Sequence, residues 1–175
     1  MDKFVNPHNV IAQVGIQPGW VVADFGCGAG FYTIPAAALA GPTGKVYAID
    51  ILDSKLAVTL SSARQEGLKN VFAHKVDLDK PLIQIEEASC DLVIVASILH
   101  QVYSKESLIK NIYRILKTGG SVLVVDWKKE AAPLGPDISS RVSKEDVEKL
   151  MMHSGLRKDK EVDADSFHYG LIFTK

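Results

Sequence analysis

Glycines at positions 26, 28 and 30, set directly behind a short apolar run, leave this chain few architectures to adopt. Trp20-Val21-Val22-Ala23 has the branched, water-avoiding character of a buried strand, and the segment behind the glycines is Ala-rich and helical in pattern. Within Asp24-Phe25-Gly26-Cys27-Gly28-Ala29-Gly30, alternate glycines let the backbone turn sharply and let a ligand approach where a Cβ would collide. A strand, a glycine loop and a helix in that order aim unpaired helix N-terminal amides into a cleft. Those amides suit a negatively charged ligand group.

The rest of the chain alternates in the same way. Asn6-Pro7 enters a helix and Gly15 ends it, and Gln17-Pro18-Gly19 turns the chain into the first strand. Phe31 to Ala40 reads as a helix that tolerates Pro35 only in its first turn, and Gly41-Pro42-Thr43-Gly44 stops it. Strands follow at Lys45 to Ile49, Val71 to Val76, Asp91 to Ala96 and Ser121 to Asp126. Leu92-Val93-Ile94-Val95 is apolar throughout, as a strand covered on both faces must be. Asp53 is expected to cap a helix with Leu56, Leu60 and Ala63 on one face, and Ser104 to Lys117 is a second helix ended by Gly119-Gly120. Ser143-Lys144-Glu145-Asp146 opens a last helix in the manner of a capping box. Two final strands, Leu156 to Asp163 and Phe167 to Thr174, are too close for a parallel crossover and imply an antiparallel hairpin.

At 175 residues, with no repeat, low-complexity tract or linker, residues 1–175 are expected to form one domain. A formal net charge of -1 gives no global attraction to nucleic acid or anionic lipid, and no basic, aromatic-interleaved patch stands out. Cys27 and Cys90 show no metal-ligand spacing and are too few for a disulfide framework, so no metal is expected. No apolar run is long enough to span a bilayer, and Met1-Asp2-Lys3 does not begin a secretory signal. A cytoplasmic protein is the expectation.

Three carboxylates, Asp50, Asp77 and Asp126, stand where consecutive strands end. In an open parallel sheet, ligands bind beyond the carboxyl ends of the strands. Asp50 lies at the distance from the glycine loop at which a carboxylate reaches a ribose diol. Asp77 either accepts from an adenine amine or caps the turn Asp77-Leu78-Asp79, and Asp126 either faces the site or only terminates its strand. Cys27 reads as a small residue fitting a crowded loop.

Together these residues resemble a class I S-adenosylmethionine-dependent methyltransferase over nearly the whole chain. Asp24, Gly26, Gly28 and Gly30 match that family's acidic-x-Gly-x-Gly-x-Gly motif, and Asp50 ends Val46-Tyr47-Ala48-Ile49-Asp50 as its acidic second-strand residue does. Arg114-Ile115-Leu116-Lys117-Thr118-Gly119-Gly120 is similar to its Arg-x-Leu-Lys-Pro-Gly-Gly signature, with Thr118 where proline is usual. Leu99-His100 resembles the branch of ubiquinone/menaquinone-biosynthesis-type methyltransferases. The resemblance implies an α/β, Rossmann-like, seven-stranded mixed sheet of order 3-2-1-4-5-7-6, last strand antiparallel, with helices on both faces. It also implies S-adenosyl-L-methionine as cofactor, bound by Asp24, Gly26, Cys27, Gly28, Gly30, Asp50, Ile51, Asp77 and Leu78. Of these, Gly26 and Gly28 would approach the methionine portion, Asp50 the ribose and Asp77 the adenine.

The acceptor is less constrained. His100 is the candidate general base at the mouth of the fourth strand, and a packing histidine is its alternative. His168-Tyr169 either faces the substrate or packs within the hairpin, and Trp127 and Arg141 are lid candidates in the Trp127 to Val142 loop. The absence of an Asn-Pro-Pro-aromatic or Asp-Pro-Pro-aromatic run after the fourth strand argues against adenine amino methylation, which leaves a small-molecule acceptor. Few residues are available to cover one, so the acceptor pocket is either open or completed by a homodimer mate or partner subunit. Two other functions compete. A nicotinamide-dependent oxidoreductase would also use Asp50, but its fingerprint wants glycine where Phe31 stands. A cofactor-binding subunit or sensor without catalysis is the other.

Overall fold

The computed structural model describes residues 5–175, so Met1-Asp2-Lys3 lies outside the described residues. Seven strands form a single sheet: β1 (Val21–Phe25), β2 (Lys45–Asp50), β3 (Val71–Lys75), β4 (Cys90–Ala96), β5 (Leu116–Trp127), β6 (Arg157–Val162) and β7 (His168–Thr174). Their order is β3-β2-β1-β4-β5-β7-β6, parallel except that β7 runs antiparallel to both β5 and β6. The expected order and hairpin are both borne out. Five helices accompany the sheet: α1 (Pro7–Val14), α2 (Thr33–Ala40), α3 (Asp53–Gln65), α4 (Lys105–Ile115) and α5 (Lys144–His153).

The period of two in the strands divides the core in half. In β4, Val93 and Val95 face one layer while Leu92 and Ile94 face the other, and all four are fully buried. The first layer packs Leu108, Ile112 and Ile115 of α4 with Val147 and Met151 of α5. The second packs Val10 and Ile11 of α1 with Ala36, Ala37 and Ala40 of α2. Alanines on α2 let its backbone lie close against β1 and β2. Between β1 and β4 the chain's direction of progress across the sheet reverses, and a crevice opens there at the strands' carboxyl ends.

Several boundaries differ from expectation. Helix α2 starts at Thr33 rather than Phe31, which puts Pro35 in the first turn, where no backbone donor is required. At α3 the cap position is Leu52, not Asp53, and the Asp53 carboxylate pairs with Lys75 on β3 instead. The buried face of α3 is Leu56, Thr59 and Ala63, with Leu60 only half-buried. Gly119-Gly120 lies inside β5, where Gly120 meets the Lys117 and Cys90 carbonyls too closely for any Cβ. At α5 the Ser143 hydroxyl does cap the helix, accepting from the Asp146 amide at 3.2 Å.

Candidate active site

The crevice is a cleft of about 480 Å³, walled by the ends of β1 to β4 and the loops that follow them. Asp24, Gly26, Cys27, Gly28, Asp50, Ile51, Asp77 and Leu78 all line it. With Ala96 and Ser97 at the end of β4, residues from four separate strand ends converge on one space.

The three loop glycines do different jobs. Gly28 has φ +55 and nothing nearer its absent Cβ than the Gly26 carbonyl at 4.0 Å, so its backbone is bare toward the cleft. A Cβ on Gly26 would stand 2.4 Å from Cγ2 of Ile98, so that glycine makes room for the segment after β4. Gly30 lies outside the cleft lining, and a Cβ there would meet the Thr59 side chain at 3.0 Å. The Thr59 hydroxyl in turn donates to the Gly28 carbonyl at 2.9 Å, which fastens the loop to α3. Cys27 is a packing residue: burial, with the Asp24 charge adding, pushes its thiol up to about 12.

Asp50 ends β2 and braces the loop. One carboxylate oxygen accepts from the Gly28 amide at 3.0 Å and the other from the Leu52 amide at 3.0 Å. An ionised carboxylate can accept about four hydrogen bonds, so both oxygens keep capacity toward the cleft. Asp77 accepts from the Asp79 amide at 3.1 Å and pairs with Lys80 at 3.2 Å, so it caps its turn and lines the cleft at once. Asp24 is buried, with the Thr33 hydroxyl donating to it at 2.6 Å. Burial pushes its carboxyl up to about 7, against the lowering effect of the Thr33 bond.

His100 lies outside the cleft lining. Its Nε2 sits 3.2 Å from the side-chain amide of Gln101, while its Nδ1 is buried without a partner among the described residues. Asp126 ends β5 almost wholly buried and accepts from the Leu99 amide at 3.1 Å and the Trp127 amide at 2.8 Å. It therefore ties the segment carrying His100 to the neighbouring strand. His168 is buried and contacts the Asp165 carboxylate at 2.8 Å, and its ring lies 4.0 Å from that of Trp127. The Tyr169 hydroxyl donates to the Val142 carbonyl at 3.0 Å, which ties β7 to the loop before α5. Arg141 is no lid residue: it is buried, and its guanidinium donates to the carbonyls of Lys128, Glu130, Leu134 and Pro136.

Sequence reasoning missed Tyr32, Ile98 and Gln101, which also line the cleft. Phe31-Tyr32, an aromatic pair at the junction of glycine loop and helix, carried a usable signal; the segment after β4 carried none beyond His100.

A reversing parallel sheet, a bare Gly28 backbone and a carboxylate at the end of β2 define a class I S-adenosylmethionine-dependent methyltransferase. A sequence profile described as "Methyltransferase domain" matches residues 16–167, and the chain belongs to that family. The ubiquinone/menaquinone biosynthesis C-methyltransferase UbiE of Ectopseudomonas mendocina is 35% identical over 121 residues, which is 69% of this chain and 46% of that protein. The corresponding protein of Cupriavidus taiwanensis is 36% identical over 124 residues, 71% of this chain and 50% of its own length. The chain thus spans about half the length of the curated relatives it matches. A SAM dependent methyltransferase from Aquifex aeolicus superimposes with a TM-score of 0.88 at 27% identity, covering 97% of this chain and 89% of that one. S-adenosylmethionine is the cofactor of this class, and the residues present fit it: a glycine backbone with no side chain between it and the cleft, and a carboxylate with acceptor capacity to spare. None of the described helices is long and apolar enough to cross a membrane.

Proposed function

We propose that this chain transfers the methyl group of S-adenosylmethionine to a small-molecule acceptor, at a ring carbon beside a hydroxyl group. The observation that carries the reading is the single cleft in which the Gly28 backbone and the Asp50 carboxylate meet. The carbon acceptor is supported by the relatives, which are C-methyltransferases by name.

In this reading Asp50 accepts hydrogen bonds from the ribose hydroxyls while its bonds to Gly28 and Leu52 hold it in place. Asp77 faces the adenine amine, with Leu78 and Ile51 as apolar walls. Gly28 gives the methionine portion a close backbone approach. When bound, the cofactor supplies an electrophilic sulfonium methyl, so the protein's work is orientation and exclusion of water. The acceptor carbon must lose a proton as it gains the methyl group; His100, next in sequence to the cleft-lining Gln101, would take it only after its ring turns from Gln101 toward the cleft.

Titration calorimetry with S-adenosylmethionine tests the first half. The wild type should bind, and Asp50→Ala should weaken binding at least about tenfold, as expected when a charged acceptor of two hydrogen bonds is lost. Absence of binding by the wild type removes the proposal. For the second half, isotopically labelled cofactor is incubated with the chain and a set of hydroxyarenes, and carbon-bound label is read by mass spectrometry.

A further inference from the structure

We propose that the free sheet edge β3 pairs antiparallel with β3 of a second copy of this chain, centred on Ala73, to give a closed twofold dimer. Such a dimer is independent of the reaction performed in the cleft.

The sheet ends in β3 on one side and β6 on the other, and the two edges differ in chemistry. β6 begins Arg157-Lys158-Asp159-Lys160-Glu161, a run of charges that discourages pairing with another strand. β3 is Val71-Phe72-Ala73-His74-Lys75, and its lysine is already paired with Asp53 of α3. The Val46 amide donates to the Asn70 carbonyl and the Val76 amide to the Asp50 carbonyl, which fixes the phase of the parallel ladder between β2 and β3. In such a ladder, alternate residues turn both backbone groups to the same side. Phe72 and His74 therefore bond to β2, while Val71, Ala73 and Lys75 turn N–H and C=O outward. No hydrogen bond among the described residues takes up those outward groups.

A second copy suits this edge because the edge complements itself. Pairing centred on Ala73 sets Val71 against Lys75, and Ala73 against Ala73 of the second copy, so every outward group finds a partner. Centring on Phe72 or on His74 would leave Lys75 or Val71 with no strand residue opposite. On one face, Asp53 of α3 stands over Lys75, so Asp53, Leu60 and Arg64, at i, i+7 and i+11, share the flank that overhangs the edge. Strands lie about 4.8 Å apart and α3 lies across β2 and β3, so the twofold brings the two α3 helices to roughly 10 Å, a helix-packing distance. Running antiparallel there, they set Asp53 of each copy beside Arg64 of the other, with the half-buried Leu60 side chains between. On the other face, Phe72, 44% exposed, falls beside His74 of the second copy. Burial lowers His74, so its ring meets Phe72 uncharged at pH 7. Both edges left after pairing are the charged β6, so assembly stops at two copies.

Sedimentation equilibrium on the chain, from micromolar to near-millimolar concentration, tests this. The wild type should show a monomer–dimer equilibrium and no larger species. Ala73→Pro removes the central outward N–H but no bond within one copy, and an edge strand tolerates proline at such a position. It should weaken the dimer at least about tenfold while far-ultraviolet ellipticity is unchanged. Cross-linking tests the register. Phe72 and His74 of opposite copies form a non-hydrogen-bonded pair with Cα atoms about 4.5 Å apart, within disulfide reach. Both native cysteines, Cys27 and Cys90, are buried. An oxidised equal mixture of Phe72→Cys and His74→Cys should form the mixed covalent dimer in higher yield than either variant alone.

The dimer is overturned if the wild type stays monomeric across that range, or if it grows into species beyond two copies. It is also overturned if a folded Ala73→Pro associates like the wild type, or if the cysteine mixture cross-links no better than its components. Should Ala73→Pro fail to fold, the cross-linking yields decide alone. Methyl transfer enters none of these outcomes, so the dimer and the reaction stand or fall separately.

Discussion

Asp24 is a buried carboxylate whose side-chain partner is a hydroxyl, not a cation. Burial, with the charge of Asp50 adding, outweighs the Thr33 bond and raises its carboxyl from 3.8 to about 7. The folded chain therefore holds a proton at this site through the window from 3.8 to about 7, where the unfolded chain has released it. Stability from this group is fully present below the window and declines as pH rises through it, levelling off above. Asp24→Asn removes that slope, because an amide does not titrate. Above pH of about 7 the variant should be the more stable by up to roughly 4 kcal/mol. Near the acid end of the window the two should converge. Urea midpoints measured across the window check this; a difference between wild type and variant that does not grow with pH would sink the idea. The same carboxylate borders the cleft proposed to hold the cofactor.

The elements were legible where local chemistry decides them and illegible where distant contacts do. Leu92-Val93-Ile94-Val95 announces a doubly covered strand, and Ser143 announces the start of α5, because each signal lies within a few residues of its consequence. The strand-end carboxylates Asp50 and Asp77 reach the cleft as their positions suggest. By contrast, nothing local shows that Gly26 exists to admit Ile98, or that Gly30 faces Thr59 rather than the cleft. The segment between β5 and α5 is the clearest case. It reads as a loose lid, yet Arg141 gathers four of its carbonyls and lies over the Trp127 ring, 5.1 Å from its centroid. A guanidinium with five donors is the side chain that can satisfy so many carbonyls at once. Arg141→Ala should destabilise the chain by about 2–3 kcal/mol, as loss of a charged donor from buried acceptors does. It should also open residues 128–140 to limited proteolysis while the glycine loop stays protected. Cleavage no faster than in the wild type would show that the segment holds its shape without Arg141.

At the scale of the molecule, the last strand in sequence is not the last in space. β7 inserts between β5 and β6, and its Tyr169, Leu171 and Phe173 join the layer that α4 and α5 cover. Lys175 then pairs its backbone with Gly119 and Gly120 and sends its ammonium to the carbonyls of Tyr113 and Leu116. The chain's end thus closes on the junction of α4 and β5, while α1 and α2 complete the opposite layer against the same sheet. Both layers share every central strand, so neither can lose its packing and leave the other intact. We therefore expect residues 5–175 to unfold as one unit. Trp20 packs against the layer formed with α1 and α2, and Trp127 ends β5 on the far side of the switch between β1 and β4. Trp127→Phe leaves Trp20 as the reporter of one region, and Trp20→Phe leaves Trp127 as the reporter of the other. For each variant, urea unfolding followed by tryptophan fluorescence should coincide with its loss of far-ultraviolet ellipticity in a single transition. Were the Trp127 signal to change at a lower urea concentration than the ellipticity of the same variant, the β5–β7–β6 half would be a separate folding unit.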